Sequence, residues 1–193
     1  MRALGNPAHR PQVNERPATR RLFFALWPSD DLREQIARAV EPLLAGRRAR
    51  PIPAANLHMT LAFLGSVLET KLPDVMAAAR EVTGAPFVLR LDRAESWRRA
   101  QVAWLPVDPM PPALSALVER LRFSLLAREL EVDRKDFRAH VTIARNWRDR
   151  PLDARIGPFE WRVREFALVQ SKTDPRGSEY FVLERWPLRE GSA

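Results

Sequence analysis

The chain has no cysteine. That excludes disulfides and thiolate metal sites and leaves the compartment open. It has three histidines, and two of them fall in one repeated pattern, which leaves little for a histidine-built metal centre. Lysine is scarce: only Lys71, Lys135 and Lys172 occur. The net charge of +8 is therefore carried by arginine. It suits an electropositive face for a polyanion, but a compositional bias toward Arg, Ala and Pro would give the same surplus. No apolar run approaches the roughly 20 residues of a membrane span. The first twenty residues carry Arg2, His9, Arg10, Arg16 and Arg20 with Pro7, Pro11 and Pro17 and no apolar block, unlike a secretory signal. Residues 1–19 are expected to be a disordered tail, and residues 20–193 a single cytoplasmic domain. With 193 residues and 46% hydrophobic content, one core, or two small lobes sharing one, is within reach.

What is present is a repeat. Leu57-His58-Met59-Thr60-Leu61-Ala62-Phe63 and Ala139-His140-Val141-Thr142-Ile143-Ala144-Arg145 are two copies of His, apolar, Thr, apolar, Ala. Both read as short apolar strands. Alternate residues of a strand share a face, so His58 sits with Thr60 and His140 with Thr142, each pair about 7 Å apart. An imidazole exchanges a proton near neutrality, and a hydroxyl can donate to a non-bridging phosphate oxygen. Two such half-sites suit in-line displacement at phosphorus, which needs a base on one side and an acid on the other.

In chain order, Arg21 to Trp27 reads as a buried first strand, and Ser29 as the cap of a helix carrying Leu32, Ile36, Ala39, Val40 and Leu43. Pro42 is expected to kink or shorten that helix, and Gly46 to stop it. The basic cluster Arg47-Arg48-Ala49-Arg50 leads into the first motif strand, which Gly65 closes. Residues 69–83 have helical spacing, with Gly84 as C′ residue. Phe87–Leu91 and Gln101–Leu105 read as strands. A third helix starts at Pro111-Pro112. After the second motif, residues 146–160 read as a loop, and Trp161–Ser171 and Glu179–Leu188 as a hairpin joined by Lys172–Gly177. Hairpins and single strands between helices argue an α+β fold with mainly antiparallel sheets. The motifs lie 82 positions apart, each in a unit of about a helix and three or four strands. That predicts two similar lobes facing each other across a cleft.

These residues resemble the two-histidine phosphoesterase superfamily, in its RNA 2′,3′-cyclic phosphodiesterase branch, first described as bacterial 2′-5′ RNA ligases. The resemblance runs over about residues 20–189. It rests on Arg21 to Leu26, Asn56 to Gly65, Val102-Ala103-Trp104, Phe137 to Arg145 and Tyr180 to Leu188. It departs where the family has proline before the second histidine and this chain has Ala139. It implies a bilobal, pseudo-symmetric α+β fold, two mainly antiparallel sheets facing a central cleft with helices outside. It implies opening of a 2′,3′-cyclic phosphate at an RNA end to a 2′-phosphomonoester, with neither metal nor nucleotide cofactor. His58 would be the proton donor and His140 the acceptor. Thr60, Thr142 and Arg145 would hold the phosphate, although strand alternation puts Arg145 on the face opposite His140. Phe23 or Phe24 would stack on the terminal base. Trp104, Trp161 and Trp186 fit packing better than base stacking.

The expected partner is RNA ending in a 2′,3′-cyclic phosphate; a monomer is expected, away from membranes. Two other readings stay open. The same site run in reverse would ligate the cyclic end to a 5′-hydroxyl. A binding module without turnover would use the arginines and aromatics, but it has no need for two titrating groups.

Overall fold

The computed structural model describes residues 17–133, 135–174 and 177–189. Most of the tail expected over 1–19 lies outside the described residues. Its last residue, Thr19, begins the first strand.

Nine strands and three α-helices are described. They run β1 (Thr19–Leu26), α1 (Asp30–Leu44), β2 (Arg50–Pro51), β3 (Met59–Leu68), α2 (Leu72–Arg80), β4 (Phe87–Trp97), β5 (Val102–Pro106), α3 (Pro112–Leu126), β6 (His140–Arg145), β7 (Asp153–Val163), β8 (Glu165–Asp174) and β9 (Gly177–Pro187). Two sheets result, in the orders β3-β1-β8-β9 and β2-β6-β5-β4-β7. Every neighbouring pair is antiparallel. His58 immediately precedes β3 in the first sheet and His140 opens β6 in the second. The α+β class, the two antiparallel sheets and the two lobes are as expected.

The lobes are not contiguous units, however. The first sheet joins the N-terminal β1 to the C-terminal β8, with Phe23 opposite Val169. The helices are exchanged as well: α1 follows β1 of the first sheet but packs on β6 and β7 of the second, while α3 follows β5 of the second and packs on β3 and α2. One continuous apolar cluster runs through both lobes. The alternation of β1 accounts for its unbroken apolar run. Leu22, Phe24 and Leu26 enter this main cluster, and Phe23 and Ala25 enter a second one on the opposite face with Ala167 and Val169. Phe24 is 0% exposed, packed against the stacked rings of Phe166 and Trp186. Phe24→Ala should cost about 3–5 kcal/mol of stability, measurable by urea or thermal unfolding.

Several boundaries differ from expectation. Ser29 caps α1, its hydroxyl accepting from the Leu32 N–H, and the helix runs through Pro42 to Leu44, with Gly46 left-handed just beyond. The second helix ends at Arg80, short of Gly84, whose N–H donates to the Arg189 carbonyl. Gly65 does not close β3, which continues to Leu68. The largest correction concerns residues 146–160, which are not all loop: β7 occupies Asp153–Val163 and pairs with β4. Its Gly157 and Pro158 sit at an irregularity inside the strand, not at a turn. Gly157 has φ of +79°, and a Cβ there would lie 2.9 Å from the Leu91 carbonyl oxygen. A residue that permits close backbone approach thus resembles loop punctuation in sequence.

Candidate active site

The two motif strands face one cavity of about 230 Å³, lined by His58, Thr60, His140, Thr142, Arg145, Tyr180, Trp97, Asn56, Ile52, Ala100 and Val102. Both histidines and both threonines come from the repeat. The two copies hold their imidazoles identically. His58 Nδ1 donates to the carbonyl of Asn56 at 2.7 Å, and His140 Nδ1 donates to the carbonyl of Arg138 at 2.7 Å. A carbonyl only accepts, so each Nδ1 carries the hydrogen and each Nε2 is left to meet a ligand.

The position of Arg145 is settled by a β-bulge. Ala103 pairs with Ala144 but Trp104 pairs with Thr142, so Ile143 is an extra residue in β6. The extra residue shifts the alternation by one, and Arg145 turns to the face of His140 and Thr142. The first motif has the same device at the same place. Phe24 pairs with Ala62 and Ala25 with Thr60, leaving Leu61 extra. Phe63 is thereby brought to the His58 face, beside Thr60, in a further space of about 590 Å³ that continues from the cavity. The fifth residue after each histidine is therefore a cleft residue, arginine in one lobe and phenylalanine in the other. Strict alternation hides this in the sequence; the position of a bulge is set by the partner strand.

Different rings surround the two imidazoles. His58 lies between Trp27, stacked at 5.3 Å, and Phe23 at 5.0 Å, with the edge-on ring of Tyr180 at 5.1 Å. His140 has Trp97 at 4.9 Å and Trp104 at 5.7 Å. Burial pushes His58 down to about 4; the Asn56 carbonyl opposes this, and the charges of Arg145 and His140 add to it. His140 is also lowered, chiefly by burial and further by Arg145, against the Arg138 carbonyl. Desolvation disfavours the charged imidazole in both cases.

The stacking expectation needs correction. Phe24 is a core residue on the far face of β1 and cannot reach a ligand. Phe23 does line the cleft, but it is 3% exposed and backs the His58 ring. Trp27, Tyr180, Phe63 and Trp97 are the aromatics that sequence reasoning missed. Trp27 ends the apolar run expected as the first strand, so that run carries some signal for it. Tyr180 arrives from β9, more than a hundred residues from His58, and nothing in its segment points to that contact. Asn56, beyond holding His58 through its carbonyl, donates from its side-chain Nδ2 to the Ser178 carbonyl at 2.9 Å. It thereby ties the His58 turn to the start of β9.

Among the described residues no cluster of three or more His, Cys, Asp or Glu could hold a metal ion, and no helix is long and apolar enough to cross a membrane.

Two antiparallel sheets meeting at a pair of equivalently held imidazoles define a two-histidine phosphoesterase. The model of the LigT-like phosphoesterase family matches residues 26–104 and again 105–180, one stretch around each histidine, and the chain belongs to that family. It is 33% identical over 174 residues to the RNA 2′,3′-cyclic phosphodiesterase of Escherichia coli K12, covering 88% of this chain and 97% of that protein. It is 31% identical over 191 residues to the RNA 2′,3′-cyclic phosphodiesterase of Thermus thermophilus, covering 88% and 90%. The crystal structure of E. coli LigT complexed with 3′-AMP superposes with a TM-score of 0.83 at 31% identity, over 90% of this chain and 100% of that one.

Proposed function

We propose that this protein hydrolyses 2′,3′-cyclic phosphates at RNA ends to 2′-phosphomonoesters. The carrying observation is the pair of Nδ1-anchored imidazoles that line one cavity with two threonines and an arginine. The curated relatives bear that activity as their name, and E. coli LigT has been crystallised with phosphate and with 3′-AMP.

In this reading the phosphorus sits between the two Nε2 atoms. His140 removes a proton from the attacking water. The bond from phosphorus to the 3′ oxygen breaks, and that oxygen takes the proton of His58, leaving the phosphoryl group on the 2′ oxygen. Exchange with solvent returns both imidazoles to their starting states. Thr60 and Thr142 donate to the non-bridging oxygens, and the guanidinium of Arg145 faces the charge gathered on them. The strongly lowered pKa of His58 makes its protonated form a strong acid, though a sparsely populated one.

The decisive assay incubates the protein, in excess EDTA, with an oligoribonucleotide ending in a 2′,3′-cyclic phosphate and maps which hydroxyl keeps the phosphoryl group. A 2′-phosphate is expected; a 3′-phosphate, or no turnover, overturns the reading. Arg145→Ala should lower kcat on the order of a hundredfold, with partial recovery in Arg145→Lys, measured on the same substrate. An unchanged rate would remove Arg145 from the site.

A further inference from the structure

The reaction cavity opens into a second space of about 380 Å³ that shares Ile52, Asn56, Arg145 and Tyr180 with it. Arg50 of β2 and Gly177, Ser178 and Glu179 of β9 bound this space on its outer side. β2 pairs with β6 at this rim, Arg50 opposite Arg145. Two arginine-bearing loops continue outward from it. Residues 45–49 precede β2, and residues 146–150 follow β6, where Asn146 takes a left-handed φ of 56° and turns the chain off the sheet. The loops are bonded into one rim: the Arg148 N–H donates to the Arg48 carbonyl at 3.3 Å, and the Arg48 N–H donates to Asp149 Oδ2 at 2.8 Å.

Arg47, Arg48 and Arg148 are exposed on this rim, and none is ion-paired with a carboxylate among the described residues. Some arginines elsewhere are paired, Arg38 of α1 with Glu34 and Arg90 and Arg93 of β4 with Asp92 and Asp153. The carboxylates at the rim are Asp149, whose oxygen accepts a backbone N–H, and Glu179. The space on the other side of the cavity holds its charge differently. Besides Arg145 its only lining cation among the described residues is Arg21, which lies over the Phe63 ring at 4.7 Å.

We propose that the RNA strand 5′ of the reacting end leaves the cavity across the β2–β6 rim and along these two loops, with Arg47, Arg48 and Arg148 neutralising its backbone phosphates. This rests on the reading that the cavity takes an RNA end, and it adds the path of the strand and the residues that hold it. Such contacts are independent of base identity and weaken with salt.

The test compares wild type with Arg47→Ser/Arg48→Ser/Arg148→Ser on two substrates, a 2′,3′-cyclic mononucleotide and an oligoribonucleotide of about ten residues ending in the same group. A charge-matched control, Arg38→Ser/Arg90→Ser/Arg128→Ser, removes three arginines away from the rim. Expected is a rise of at least about tenfold in KM for the oligomer with the rim variant alone, kcat unchanged, and the KM for the mononucleotide within about twofold. The salt dependence of oligomer binding, read by fluorescence anisotropy, should become shallower by about 2 in the log–log slope for three lost phosphate contacts. An unchanged oligomer KM, an equal rise for the mononucleotide, or an equal rise in the control overturns the path. If wild type turns over neither substrate, the functional reading fails instead, and anisotropy with the same oligomer still decides whether the rim binds RNA.

Discussion

His140→Ala is expected to lower kcat on a cyclic-ended oligoribonucleotide by at least about a hundredfold, the low end for a positioned acid or base. His58→Ala should do the same. Because the two imidazoles act in one displacement, the double variant should lose little more than the worse single one. Each ring is half-buried at a cavity wall, so the thermal midpoint should move far less than the rate. A cyclic substrate with sulfur in place of the 3′ oxygen separates the roles, since a thiolate leaves without a proton. Its hydrolysis should largely survive His58→Ala and still fail in His140→Ala. Survival in both, or full activity of His140→Ala on the ordinary substrate, would end the two-imidazole mechanism.

The second large effect is on pH. In the proposed mechanism the productive free enzyme carries one proton on the imidazole pair, and both imidazoles are lowered from 6.5, His58 to about 4. The optimum of kcat/KM should therefore lie below pH 6.5. On its alkaline side each pH unit should cost about tenfold, so two units above the limb's pKa cost about a hundredfold. An optimum at or above about pH 7.5 would contradict this. The same shift acts on stability with a definite sign. Below pH 6.5 the unfolded chain binds a proton that native His58 refuses until about pH 4, so stability falls as pH drops through that window. Replacing His58 with asparagine should flatten that decline in the thermal midpoint.

Much of the site is legible because it is repeated. His58, Thr60, His140 and Thr142 follow from period-two alternation in two apolar segments, and the structure brings all four to one cavity. The same alternation puts Arg145 on the wrong face, and the extra residue Ile143 is the reason. Bulges depend on the partner strand and leave no mark in the segment that carries them. β7 is hidden for a related cause, because Gly157 and Pro158 signal a break where the strand only bends. Of the aromatic box around His58, Tyr180 is beyond reach for a third: it meets His58 only through the order of the sheet.

The first sheet is closed by β8 and β9, the last described strands, pairing against β1, the first. A nascent chain therefore carries both histidines long before it can build the wall around one of them. A fragment stopping just before β7 would hold both imidazoles proposed to transfer protons and yet lack Tyr180 and the strand that backs Phe23, which help to desolvate His58. In the proposed mechanism the β8–β9 hairpin is thus part of the working site, although it carries neither imidazole.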